Sequence, residues 1–186
     1  AFDALYLSAD SVRLSWTASD SADAESVSVR YEIDGTWPTA WNDGTEWAYY
    51  DVSVIADTAY GLNEKIWYRF AAFTKDTSGN WSPQTANATD SVYMPDITVP
   101  SNVTNLVASA VNCSTVSLSW TPSDSADVDS VTIRYDLAGL PSTETSGSLW
   151  STLPAGTSMD TMTSLAEKQW CYISLFSRDS SGLWSA

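Results

Sequence analysis

The side chains of this chain best suited to chemistry are carboxylates, indoles and two thiols. None of its 186 residues is histidine, which removes the commonest general base and the commonest metal ligand. An acidic run, Asp20-Ser21-Ala22-Asp23-Ala24-Glu25, returns as Asp124-Ser125-Ala126-Asp127-Val128-Asp129. Clustered oxygen donors suit Ca2+, a hard cation. Asp20, Asp23, Glu25, Asp124, Asp127 and Asp129 are therefore the metal-ligand candidates. Their spacing fits no standard calcium loop, and a solvated polar turn is the simpler reading, so Ca2+ is the one cofactor to consider and is not favoured. Two carboxylates are also what glycoside hydrolysis needs, but so small a domain implies no deep cleft. With no nucleophile motif and no phosphate loop either, the chain reads as a non-enzyme with no catalytic residues.

The ten tryptophans are the least ordinary part of the composition. Trp16, Trp47, Trp67 and Trp81 recur as Trp120, Trp150, Trp170 and Trp184, and recurrence argues for scaffold. Trp37 and Trp41 do not recur. They lie in Gly35-Thr36-Trp37-Pro38-Thr39-Ala40-Trp41-Asn42-Asp43-Gly44, a loop by composition. Indoles on a loop form a flat stacking surface for a sugar ring or a partner protein, or else a satellite core beneath that loop. Trp37, Trp41 and the neighbouring Trp47 are the candidate binding residues. Asn80, Asn87, Asn102 and Asn112 each open an Asn-x-Ser/Thr sequon, a glycosylation acceptor in a eukaryotic secreted protein.

The elements that position these residues are stated twice. The run from Trp16 to Tyr31 matches the run from Trp120 to Tyr135, and Lys75-Asp76-Thr77-Ser78-Gly79-Asn80-Trp81-Ser82 matches Arg178-Asp179-Ser180-Ser181-Gly182-Leu183-Trp184-Ser185. A repeat of about 100 residues is domain-sized and too long for a solenoid unit. Two domains are expected, residues 1–95 and 96–186, joined at Met94-Pro95-Asp96-Ile97-Thr98-Val99-Pro100. Val12, Leu14 and Trp16 alternate with polar residues, as do Val27, Val29 and Tyr31, and then Tyr68, Phe70 and Ala72. Each stripe recurs in the second copy. Period-two stripes separated by Ser, Asp, Gly and Pro predict short antiparallel strands in all-β sandwiches.

A hydrophobic content of 44% is enough for packed cores. The net charge of −15 repels phosphate backbones and anionic lipid, so nucleic acid and membrane surfaces are excluded as partners. No apolar run reaches the length of a membrane span. The chain opens at Ala1 without a methionine and reads as a mature or excised segment.

Several ordered pieces resemble the fibronectin type III family, in its bacterial extracellular form. They are the lead-in Asp96-Ile97-Thr98-Val99-Pro100-Ser101-Asn102-Val103-Thr104-Asn105-Leu106, the strand Val116-Ser117-Leu118-Ser119-Trp120, Gly61-Leu62 followed by Tyr68-x-Phe70-x-Ala72, and the loop Asp76-Thr77-Ser78-Gly79-Asn80-x-Ser82. The resemblance covers nearly the whole chain in two copies. It implies two tandem seven-strand sandwiches, a tyrosine corner at Tyr68 that Cys171 replaces in the second copy, and contacts with further domains of a longer chain or with neighbouring copies, head-to-tail. The first copy runs on through Thr85 to Tyr93, a seventh strand for which the second has no counterpart. The second sandwich is thus expected to lack its last strand and to have that edge filled by continuing chain or by a neighbour. In this sandwich Cys113 and Cys171 open strands at one end of facing sheets, and a disulfide between them is expected. An oxidising location, extracellular or cell-surface, follows from it. The functional expectation is a non-catalytic structural or adhesive module pair: a spacer or surface-filament segment of a longer secreted protein. The alternative is a carbohydrate-binding accessory region of a polysaccharide-degrading enzyme. A third reading, a cytokine-receptor-like ligand-binding pair, rests on Gly182-Leu183-Trp184-Ser185, which is similar to half of the Trp-Ser-x-Trp-Ser signature.

Overall fold

Alternating burial builds the strands. Val12, Leu14 and Trp16 are buried while Arg13 between them is exposed, and Leu118 and Trp120 flank exposed Ser119 in the same way. The computed structural model describes all 186 residues and divides into two compact units, Ala1–Ile97 and Thr98–Ala186. The first unit contains β1 (Phe2–Ser8), β2 (Ser11–Trp16), β3 (Ala24–Glu32), β4 (Thr45–Asp51), β5 (Ala56–Ala59), β6 (Ile66–Asp76) and β7 (Thr89–Met94), with a single 3-10 turn at Ala86–Ala88. The second contains β8 (Thr104–Asn112), β9 (Thr115–Thr121), β10 (Val128–Asp136), β11 (Ser148–Pro154), β12 (Met159–Met162) and β13 (Tyr172–Asp179). No helix is long and apolar enough to cross a membrane.

In the first unit a three-stranded sheet, β1-β2-β5, faces a four-stranded sheet, β4-β3-β6-β7, and all pairings are antiparallel. Phe2, Leu14, Trp16, Val29, Phe70 and Met94 meet between them as the core. The second unit repeats the plan with one strand fewer. Its sheets are β8-β9-β12 and β11-β10-β13, so β13 pairs with β10 on one side and is bare on the other.

The second core is the smaller one. Twelve buried residues form the first core cluster and six form the second. Phe70 is fully buried, whereas its counterpart Ile173 is half-buried. Phe2 is 7% exposed, and its counterpart Leu106 on β8 is 37% exposed. The tyrosine corner behaves the same way. Tyr68 is buried, and its hydroxyl accepts the Asn63 backbone N–H at 2.9 Å. Cys171 is too short to make that bond.

One glycine recurs for a steric reason. Gly44 and Gly147 precede β4 and β11 with φ of 70° and 66°. A side-chain carbon there would come within 2.8 Å of the Tyr31 carbonyl oxygen in one unit and 2.6 Å of the Tyr135 carbonyl oxygen in the other. The close approach lets each strand join its partner immediately after the loop that holds Trp41 in the first copy and Glu144 in the second.

Candidate functional site

The β3–β4 loop is folded by its own side chains. The Asp43 carboxylate accepts the Thr39 hydroxyl at 2.6 Å and the Thr39 backbone N–H at 2.8 Å. Those bonds, the hydroxyl's first, hold the Asp43 carboxyl below its usual range. Held in this way, the loop lays Trp41 flat on Trp81, with ring centroids 4.8 Å apart and planes at 8°. Trp41 remains 40% exposed. Trp81 is fixed from beneath: it bridges to Lys75, and Ser82 exchanges hydrogen bonds with Thr74. Tyr49, from β4, meets Trp81 edge-on at 6.0 Å, and its phenol is hydrogen-bonded to the Ser26 hydroxyl. Lys75 completes the patch by pairing with Glu25 at 3.1 Å.

Trp81 also lines a cavity of about 250 Å³ together with Ser19, Ser21, Asp23, Asp76 and Asn80. Asp76 accepts the Asn80 backbone N–H and the Asn80 amide, both at 2.8 Å, which lowers its pKa. Two other cavities, of about 220 and 310 Å³, lie beside Trp16 and Trp120. They correspond at Trp16/Trp120, Ser19/Ser123, Val27/Val131 and Thr74/Ser177, but the first extends to Ser82–Ala88 and the second to Ala155–Thr157.

The second unit has no such platform. Glu144 stands where Trp41 does, Thr152 where Tyr49 does and Leu183 where Asn80 does. The Arg178 guanidinium covers Trp184, 5.6 Å from its ring centroid. One indole is capped by a cation and the other by a second, half-open indole.

Of the three candidate binding tryptophans, Trp41 is exposed and Trp37 is half-buried in its loop. Trp47 serves the core: it packs against the first cluster and donates Nε1–H to Asp57 at 3.0 Å, as Trp150 does to Asp160. Tyr50 also donates to Asp57. Burial raises the Asp57 carboxyl, but the bonds from Tyr50 and Trp47 outweigh it and leave the group below its usual range. Burial, reinforced by Asp57, pushes the Tyr50 phenol up. Trp81 and Tyr49 join Trp41 in the ring cluster. Recurrence places Trp81 with the scaffold, and the change of its surroundings, Trp41 to Glu144 and Tyr49 to Thr152, is what sets it apart from Trp184.

Neither acidic run gathers three carboxylates into one ligand set. Asp20 is exposed, Asp23 accepts the Ser21 hydroxyl, and Glu25 pairs with Lys75. In the second run Asp124 accepts the Ser101 hydroxyl, and Asp129 accepts that of Ser130 and faces Arg178 at 4.0 Å. Asp127 is half-buried, within 4.8 Å of the Asp179 carboxylate. Among the sequon asparagines, Asn80 is engaged with Asp76, while Asn87, Asn102 and Asn112 are exposed.

The expected disulfide is not formed: Cys113 and Cys171 are both free thiols. Cys113 lies on the exposed β8–β9 turn, which Asn112 closes by accepting the Ser114 N–H at 3.0 Å. Cys171 packs against the second core, taking the place of a core tyrosine. The two cysteines share one copy without forming a pair: one replaces an aromatic and the other decorates a turn. Burial pushes the Cys171 thiol up, which lowers its thiolate fraction at neutral pH. Cys113 is therefore expected to react with a maleimide at least about tenfold faster than Cys171. Peptide mapping after timed labelling checks this; equal rates would contradict the burial assignment.

The order of strands, β1-β2-β5 against β4-β3-β6-β7, decides the fold. It is the strand order of a fibronectin type III sandwich. No protein-family model and no curated protein matches the chain. Among solved structures it is similar to a two-domain fibronectin type III segment of chicken tenascin, at 15% identity and a TM-score of 0.42, over 100% of this chain and 93% of that one. It is also similar to the FN1–FN3 domains of chicken CNTN1, at 13% identity and a TM-score of 0.47, over 100% of this chain and 62% of that one. Within the type III framework, the Trp41 loop joins the third and fourth strands, and Trp81 follows the sixth.

Proposed function

We propose that the chain is a non-catalytic structural and adhesive module pair from the extracellular or surface-exposed part of a longer protein, in which the first domain makes the adhesive contact and the second acts as spacer. The observation that supports this reading is the Trp41–Trp81 stack, with Trp41 40% exposed, in one copy of a duplicated domain. Scaffold positions repeat; a side chain left half in solvent in one copy alone is the better mark of a contact surface. Its partners are other domains of the same protein, neighbouring copies or glycan. Acidic surface elsewhere keeps the pair soluble and limits non-specific attachment.

Beads coated with the chain, presented to surfaces carrying the chain itself, matrix protein or polysaccharide, test the reading. Adhesion to one of these surfaces is expected, and Trp41→Ala should reduce it severalfold. Trp170→Ala, which removes the most exposed indole, should leave adhesion unchanged. Equal losses from the two variants would mean unspecific apolar sticking, and no adhesion to any surface would defeat the adhesive half of the proposal.

A further inference from the structure

We infer that the cavity beside Trp81 binds one ring of a neutral β-linked hexopyranose chain. The inference deepens the adhesive reading of the same surface and rests on it. A pyranose whose hydroxyls are equatorial presents two flat C–H faces and a rim of hydroxyl groups. A site for it needs an aromatic face for the first and acceptors at the edge for the second. The first domain supplies both within one small region. Trp81 lines the cavity, and Trp41, stacked parallel on Trp81, holds that indole in place without lining the cavity itself. Asp23, Asp76 and Asn80 border the same cavity, with the Ser19 and Ser21 hydroxyls.

The size and charge of the site narrow the ligand. Pockets for drug-sized molecules run to roughly 300–1,000 Å³. A cavity of about 250 Å³ has room for a single ring, so neighbouring rings of the chain lie outside it. Two carboxylates in the wall, on a chain of net charge −15, repel uronate and sulfate groups. The same carboxylates are strong acceptors for neutral hydroxyls, since an ionised acceptor makes the shorter and stronger bond. Equatorial hydroxyls leave both faces of a β-linked glucose or N-acetylglucosamine ring open to an indole, whereas the axial hydroxyl of mannose or galactose leaves one, so the former fit in more ways. The second domain is an internal control: Leu183 replaces the Asn80 amide, and Arg178 occupies the face of Trp184.

Calorimetric titration of the whole 186-residue protein with cellohexaose and with chitohexaose, alongside indole N–H spectra, tests the inference. At least one of the two is expected to bind with a Kd below about 1 mM and to shift the Trp41 and Trp81 signals. Trp41→Ala and Asp23→Asn alter exposed residues that the fold does not need, and each should weaken binding about tenfold. Trp184→Ala should leave affinity unchanged. Polygalacturonate should not bind. Silence with both hexasaccharides up to about 10 mM, unchanged affinity in both Trp41→Ala and Asp23→Asn, or preference for polygalacturonate would overturn the inference. Bead adhesion that depends on Trp41 while neither hexasaccharide binds would leave the adhesive reading standing and point to a protein partner. Sugar binding without Trp41-dependent adhesion would do the reverse.

Discussion

Replacing Trp16 with alanine is expected to cost the first domain about 3–5 kcal/mol, enough to unfold most small domains under mild denaturant. The indole is 7% exposed and lies between the two sheets. It stacks on Phe2 with centroids 5.9 Å apart and planes at 10°, and it tilts against Tyr50 at 5.4 Å. Such pairs add about 0.5–1.5 kcal/mol to the burial itself. Its Nε1 has no hydrogen-bond partner, so truncation orphans no polar group and the whole loss is packing. Trp120 is 5% exposed with an equally unpartnered Nε1 and takes part in none of the ring pairs. Trp120→Ala should therefore fall at the lower end of the same range. Urea unfolding followed by amide signals of β2 and β9 in the intact chain would read both. A loss below about 1 kcal/mol at Trp16 would mean that the sheets collapse onto the space, contrary to a rigid aromatic stack.

The two tryptophans show which part of the protein could be read from its sequence. Alternation places Trp16 and Trp120 on the inner faces of their strands, because successive strand residues face opposite ways and only one face is dry. Recurrence then fixes the domain plan. The Trp41–Trp81 stack obeys neither signal. Trp41 is set by the Thr39–Asp43 hydrogen bonds of an irregular loop, and its partner Trp81 stands 40 residues further on, after the sixth strand. No periodicity connects two loops; their meeting is a product of tertiary folding. The cysteine pair failed for a related reason. Strand order puts Cys113 and Cys171 at one end of the sandwich, but a disulfide needs side-chain vectors that converge, and the turn at Cys113 faces solvent.

The second large effect is expected at the bare edge of β13. In the first domain β7 sets Met94 opposite Ile66, Val92 opposite Tyr68 and Asp90 opposite Phe70. Val92 and Met94 are 8% and 0% exposed, and Asp90 reaches across to accept the Ala4 N–H of β1 at 2.9 Å. One strand thus fills the core, pairs the edge and ties the two sheets together. The second domain lacks all three contributions. Its half-buried Cys171 and Ile173 stand where Tyr68 and Phe70 are buried, and every residue of β8 is exposed. A copy of residues 84–94 appended directly after Ala186 would continue the repeat in register. It should raise the stability of the second domain by on the order of 2 kcal/mol, since a buried valine or methionine contributes about 1.5–3 kcal/mol against the ordering cost of the added strand. The gain should appear as a higher urea midpoint, with slower amide exchange in β13 and β8. A control extension with serine in place of the valine and methionine keeps the backbone pairing but removes the core filling, and it should lose most of the gain. No gain from the native extension, or equal gains from both, would show that the second core is already closed and that the edge alone was at fault.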